Sequence, residues 1–279
     1  FRQEIQENEI DEIFFAVDLN TISDIHDIFS YLDTIGVNYH MMINDSVHTY
    51  AAQNLELEPV TSSYYGIPML SFHSVPANYI KLYIKNGTEK IFAFFLLLFS
   101  LPVLLLFSVL IKCTSRGPLL FKQERVGLHG RKFYQYKLRS MVSDAEELKK
   151  KYLHLNEQSG PVFKIKNDPR LTKIGKFMRK YSIDELPQLI NIVIGSMALI
   201  GPRPLPVPEV NKFRNDYLHR RHSMKPGVTG LWQVSGRNKM KDFEKWVKLD
   251  LKYIDNWSFS LDLKIAFKTV STVFSGTGM

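Results

Sequence analysis

The 279-residue sequence predicts an α/β protein held at a membrane. It divides into an N-terminal α/β layer, a re-entrant membrane helix hairpin and a compact, mainly helical basic domain. Three observations carry this. Residues 91–111 form a run of 21 uncharged, almost wholly apolar positions, long enough for a helix to span the hydrocarbon layer. Charge is split along the chain: residues 1–80 hold one basic and 12 acidic side chains, net −11, and residues 81–279 hold 35 and 16, net +19. Such asymmetry marks separate parts with separate partners. Short apolar runs on either side of one helical repeat, within the first 43 residues, give the β-α-β pattern of a parallel layer.

Ile13–Asp18 reads as a buried strand. Ile22, Ile25, Ile28, Phe29, Leu32 and Ile35 then recur at helical spacing, with Gly36 placed as a stop. Val37–Ile43 reads as a second strand and Ile67–Phe72 as a third. There is no GxGxxG loop and almost no basic residue here, so a packing or regulatory role is expected rather than a nucleotide site. Pro76–Lys90 interleaves lysines with apolar residues, as an interfacial stretch does. The membrane run has Lys81, Lys85 and Lys90 before it, Lys112 and Arg116 after it, and Ser100 and Pro102 at its middle. Basic residues on both flanks place both on the cytoplasmic side, and a proline removes a helix donor at the midpoint. A helix that enters, turns and leaves by one face satisfies both; a straight span is the other reading, since spanning helices tolerate proline. Further helices are expected over Asp144–Leu155, Asp242–Ile254 and Leu261–Phe274, the last with Lys264 and Lys268 facing lipid headgroups.

Cys113 is the single cysteine, so an intrachain disulfide is excluded and a reducing compartment fits. The histidines show no metal-ligand spacing. The basic part begins at the membrane run, which points to anionic lipid or phosphorylated ligands and away from nucleic acid. Phe1 is not an initiator methionine, and the chain is expected to be part of a longer protein.

The chemistry centres on Arg179–Gln188 (RKYSIDELPQ). Ser182 and Glu185 have capping-box spacing, which would set Asp184 in the first turn of a helix, although Pro187 suggests a start displaced by a residue or two. A carboxylate kept ionised by Arg179 and Lys180 can attack phosphorus, and the adjoining Glu185 can hold Mg²⁺ together with substrate phosphate oxygens. Arg203 sits between Pro202 and Pro204, a stiff turn suited to clamping phosphate. Gly227–Gly230 and Gly236–Asn238 punctuate a loop able to receive a nucleotide. Arg125, Lys137 and Lys166 are cations among apolar neighbours, each a solvated surface charge if taken alone.

Together FKQERVG, YKLRSM, KNDPRLTKIGKFMRKYSIDELPQLIN, IGPRP, KPGVTGLWQVSGRN and NWSFSLDLKI resemble the bacterial sugar transferase family, the monotopic polyprenyl-phosphate sugar-1-phosphate transferases, over residues 81–279. The acidic part looks like the end of the Rossmann-like domain of the large multi-domain members. The resemblance implies a division at 1–76 (Rossmann-like, regulatory or packing), 77–113 (interfacial and re-entrant membrane helix) and 114–279 (catalytic). It implies Mg²⁺ dependence and attack by Asp184 on the β-phosphorus of a UDP-sugar, with UMP expelled and the sugar phosphate passed to undecaprenyl phosphate. Glu185, with Asp184, would bind the metal. Arg179 and Arg203 would neutralise phosphate, with Arg125, Lys137 and Arg237 joining the same cationic pocket. It further implies the bacterial inner (cytoplasmic) membrane, an active site on its cytoplasmic face, and room for a homodimer. The family implies no single sugar; a hexose is expected. A non-catalytic membrane scaffold for glycan assembly is the competing reading, but it has no need of the acidic pair, Arg179 and GPRP together.

Overall fold

A computed structural model describes residues 4–5, 8, 10–16, 25–43, 60–72, 79–165, 167–213, 215–236, 240 and 242–274, the side chains of 79, 216 and 274 excepted. Lys166 and Arg237 lie outside the described residues.

Strand β1 (Glu12–Phe15), helix α1 (Ile25–Ile35) and strand β2 (Asn38–Met42) form the expected β-α-β unit, with β1 and β2 parallel. Helix α1 buries Phe29, Leu32 and Ile35, and the Phe29 ring stacks on Tyr39 with centroids 4.9 Å apart. The amides of Gly36 and Val37 both donate to the Leu32 carbonyl, ending the helix where glycine was placed. The rest of the layer departs from the parallel expectation. Strands β3 (Val60–Tyr64) and β4 (Ile67–Phe72) are antiparallel, and β4 lies antiparallel on β2, giving the order β1-β2-β4-β3. The β3–β4 reversal has a local cause: Tyr65 and Gly66 both have positive φ, so a two-residue turn folds the chain straight back.

Helix α2 runs from Tyr79 to Thr114 with Pro102 inside it. The lysine-rich approach expected to be an interfacial stretch is thus its first turns. This is the one helix among the described residues long and apolar enough to cross a membrane. Phe92, Phe95, Phe99, Leu105 and Leu106 are exposed, an outward apolar surface that lipid would cover.

The basic body carries more strand than a mainly helical domain would. FKQERVG and YKLRSM are the two arms of an antiparallel hairpin, β5 (Leu120–Val126) and β6 (Lys132–Leu138). Strand β7 (Ala198–Ile200) is followed by β8 (Leu205–Pro206), which pairs with β5; β7 itself runs parallel to β9 (Gly227–Thr229). Around them lie α3 (Ala145–Lys151), α4 (Lys173–Lys180), α5 (Gln188–Ile194), α6 (Val207–Val210), α7 (Leu231–Val234), α8 (Phe243–Asp255) and α9 (Phe259–Phe274). Asp242 caps α8 by accepting from the Glu244 amide. Trp232 and Trp246, ring centroids 4.2 Å apart, centre a core with Val126, Leu205, Val210, Phe243 and Val247.

Both halves of α2 dock on this body. Near its start, Lys85 reaches Asp262 of α9 at 2.8 Å and pairs with Glu89. Asp262 also accepts from Tyr253 Oη at 2.7 Å and Trp257 Nε1 at 2.9 Å, and Glu89 accepts the Leu199 amide of β7 at 2.9 Å. Ala93 is buried with Leu189, Ile192 and Met197. Toward the other end, Phe107 and Ile111 are buried with Leu138 and Met178, and Ile183 packs on that cluster. Arg139 closes the helix by donating to the carbonyls of Ser115 and Arg116, each at 2.8 Å.

Asp262→Ala strands several buried donors at once, and breaking a buried ion pair costs about 3–5 kcal/mol. Thermal unfolding in detergent should show that loss, and Asp262→Asn, which keeps an acceptor, should recover part of it.

Candidate active site

The strand-to-helix geometry brings the acidic pair to the foot of α2. Asp184 and Glu185 lie in a 3-10 turn, Ile183–Glu185, whose neighbour Ile183 touches the membrane-helix cluster. The capping box does not form. Ser182 has φ of +55° and makes no side-chain cap, and α5 starts only at Gln188, after Pro187. A non-glycine residue held in the left-handed region two residues before Asp184 is local strain that the surroundings must enforce. They do so from both sides. The Ser182 amide donates to Arg179 O, and Ser182 O accepts from Glu185. Beyond the turn, buried Gln188 and Asn191 tie α5 to β6: Gln135 Nε2 donates to Gln188 Oε1, and Asn191 both donates to Tyr134 O and accepts from Tyr136 N. Gln188 and Asn191 in DELPQLIN are thus scaffold residues.

Three of the five expected cations, Lys137, Arg203 and Arg179, lie around this turn. Lys137 of β6 donates to Glu185 Oε1 at 2.7 Å, and Arg203 approaches the same oxygen at 3.8 Å. Burial pulls the Lys137 amine down to about 8, against the pull of Glu185 in the other direction; Arg203, Asp184 and Arg125 also act on it. Arg179 lies within the field of Asp184, Asp168 and Glu185, while burial lowers its pKa. Its Nε donates to Ser140 Oγ at 3.0 Å. Asp184 is only 5% exposed, but its surroundings are cations, not apolar side chains alone.

Arg203 is held by its backbone. Arg221, fully buried, donates to Arg203 O at 2.6 Å and pairs with buried Asp250 at 2.5 Å. Arg125 donates to Pro204 O at 2.6 Å and to Gln123 Oε1, so it braces the proline turn, contrary to its expected place among the phosphate-facing cations. The Gly227–Gly230 stretch is likewise structural. A Cβ on Gly201 would lie 2.3 Å from Lys225 O and 2.9 Å from Gly227 N, so only bare backbone permits the β7–β9 approach that delivers Arg203. Trp232, just after this stretch, is core.

Sequence reading missed Arg221–Asp250, 29 positions apart, and the buried Asp168–Arg170 pair at 2.6 Å behind Arg179. The first leaves no signal in spacing. The second sits inside NDPR and could have been read as an arginine folding back on its own aspartate. Among the described residues no group of three or more histidine, cysteine or acidic side chains could hold a metal ion.

Residues 80–276 match the family model described as bacterial sugar transferase. The chain belongs to the bacterial sugar transferase family. Among similar curated proteins is a galactosyl transferase, CpsE, of Streptococcus agalactiae, 40% identical over 96% of this chain and 59% of its own length. Another is an undecaprenyl-phosphate galactose phosphotransferase of Salmonella typhimurium, 36% identical over 94% and 57%. A third, from Klebsiella pneumoniae, is a UDP-glucose:undecaprenyl-phosphate glucose-1-phosphate transferase, 36% identical over 77% and 45%. The chain thus spans about half the length of these relatives.

Gly175 of α4 tests the scaffold, because its added Cβ would fall 1.8 Å from Ser140 O, behind Arg179. Gly175→Ala should cost about 1–3 kcal/mol by overpacking. Gly87→Ala, with open space around it, should instead be neutral or stabilising by about 0.5–1 kcal/mol in thermal unfolding.

Proposed function

We propose that this chain transfers a sugar-1-phosphate, a hexose-1-phosphate by expectation, from a UDP-sugar to undecaprenyl phosphate, releasing UMP and starting surface-glycan synthesis. The observation that carries it is a buried acidic pair ringed by Lys137, Arg179 and Arg203 at the foot of an apolar helix. An Asp184 oxygen attacks the β-phosphorus, the bridging P–O bond breaks, and UMP leaves with the electron pair. A phosphate oxygen of the lipid then attacks the same phosphorus. The Asp184–phosphorus bond breaks, Asp184 is regenerated, and the lipid carries a diphosphate-linked sugar. Arg179 and Arg203 spread the developing phosphate charge, and Lys137 sets Glu185.

Mg²⁺ fits this donor set, since it takes one or two carboxylates and fills its shell with phosphate oxygens and water. Glu185, with Asp184 beside it, would hold the ion, and bound there it would neutralise diphosphate charge. Lys137, 2.7 Å from Glu185 Oε1, places a positive charge beside the same carboxylate.

The course of α2 follows from the same reasoning. From Lys85 to Ile111 a straight helix runs about 39 Å, more than the hydrocarbon thickness of about 30 Å. Contacts near both residues reach one water-exposed body, and both flanks are basic, which supports re-entry through a bend at Pro102 and a site on the cytoplasmic face of the bacterial inner membrane. We divide the chain accordingly at 76/77 and 113/114, the first part ending a Rossmann-like domain.

Release of UMP from a panel of UDP-sugars, with undecaprenyl phosphate in detergent, tests the reading. UMP should appear before acceptor is added and vanish in Asp184→Asn; full activity in that variant refutes it. Arg203→Ala should lower turnover about 10²–10³-fold.

The rate should also fall as pH rises through about 8, where Lys137 loses its proton. The sign for stability is opposite. Unfolded lysine keeps its proton to about 10.4, so between the two values the unfolded chain binds more protons and this residue's contribution to stability rises with pH. Lys137→Arg should move the alkaline limb upward in a pH–rate profile.

A further inference from the structure

A cleft of about 330 Å³ opens between α1 of the acidic layer and the basic body. It takes no part in the chemistry proposed above. One wall is α1, through Asp27, Ser30, Tyr31 and Thr34; the opposite wall includes Asn211 and His222. His222 is 5% exposed, and its Nδ1 is buried without a hydrogen-bond partner. Such an atom costs free energy unless something in the cleft bonds to it. Burial, with Arg221, His219 and His129 nearby, holds His222 neutral. The seam is a made contact: His129 Nδ1 meets Ile35 O at 3.3 Å and Arg131 pairs with Asp11 at 2.7 Å.

The lining sets the ligand class. It mixes hydroxyl, amide, carboxylate and neutral imidazole groups, with Lys132 its single lysine or arginine and Asp27 its single carboxylate. A phosphate site gathers cations and a metal site gathers carboxylates or histidines. Paired donors and acceptors with a Tyr31 ring beside apolar Ile35, Val126 and Val207 suit a neutral polyhydroxylated ring.

The cleft also touches the supports of Arg203. Val126 in its wall follows Arg125, which donates to Pro204 O; His222 follows Arg221, which donates to Arg203 O. Both arginines that hold the proline turn therefore have their chain neighbours lining one cavity. We propose that this seam is an effector site for a neutral monosaccharide unit, and that its occupancy biases the Arg203 turn.

The probe is methyl β-glucoside or methyl β-galactoside, added to the full chain in detergent and read by saturation-transfer NMR and calorimetry. Binding should be equal in wild type and Asp184→Asn, should persist with UMP present, and should weaken at least tenfold in Ser30→Trp, which fills the cleft from an exposed helix position. His222→Phe should weaken it as well. Unchanged circular dichroism and thermal unfolding of Ser30→Trp separate a filled cleft from a misfolded one; if that variant fails, Thr34→Tyr serves. Binding competed by UMP would place the glycoside in the catalytic pocket and overturn the proposal, as would no binding at all or binding that survives both substitutions. Inorganic phosphate bound in the cleft in preference to glycoside would overturn the ligand class. The coupling is read separately: saturating glycoside should shift the KM for the UDP-sugar several-fold in wild type and leave it unmoved in Ser30→Trp. An unmoved wild-type KM overturns the effector role. The binding arms do not depend on the proposed reaction.

Discussion

The structure hangs on a charge cluster buried where the membrane helix meets the body. Asp262 gathers an ammonium, a phenol and an indole N–H; Glu89, one turn from Lys85, takes the Leu199 amide. Burying ions is costly, and such a cluster is weak evidence for stability. What it supplies is register. An apolar helix packed only through leucines and phenylalanines can slide or rotate with little penalty, whereas a carboxylate bonded to one particular amide cannot. Leu199 belongs to β7, and four residues later the same segment presents Arg203. The position of the Arg203 guanidinium beside Glu185 is thereby tied to the long apolar helix.

From that root the cationic residues divide by task. Arg139 closes the end of the helix, Arg125 and Arg221 brace the proline turn through its carbonyls, and Arg170 folds onto Asp168. Arg179, Arg203 and Lys137 remain around the acidic pair. Arginine suits the bracing work because its planar fork donates several bonds in fixed directions, which a lysine in the same place would not do. The high content of basic residues, read as a sign of anionic partners, is therefore partly architecture.

Much was legible in the sequence where the signal was local. The apolar run, the β-α-β unit, the Gly36 stop, the helices expected over Asp144–Leu155, Asp242–Ile254 and Leu261–Phe274, and the acidic pair each lie in short windows. What stayed hidden depends on residues far apart or on backbone accommodation. Ser182 and Glu185 have capping-box spacing, yet the left-handed Ser182 is set by α4, so the box never closes. Ile67–Phe72 was read as a strand, but its antiparallel pairing with β3 comes from a turn that strand periodicity does not report. Gly227 and Gly230 looked like a nucleotide loop because close approach to a ligand and close approach to another backbone both demand glycine. Arg125 misled for a related reason: a buried cation bonded to a carbonyl has the same sequence neighbours as one facing phosphate.

The continuity of α2 carries a constraint of its own. Glu89 and Phe107 are fixed to different parts of one body while one face of the helix between them, with Phe95, Phe99, Leu105 and Leu106, points outward. Inserting or deleting one residue there would swing everything beyond it by about 100° and 1.5 Å. Either the bond to Leu199 or the packing on Met178 would then be lost. The hydrophobic segment can thus drift freely in which apolar letters it uses, yet its count is locked.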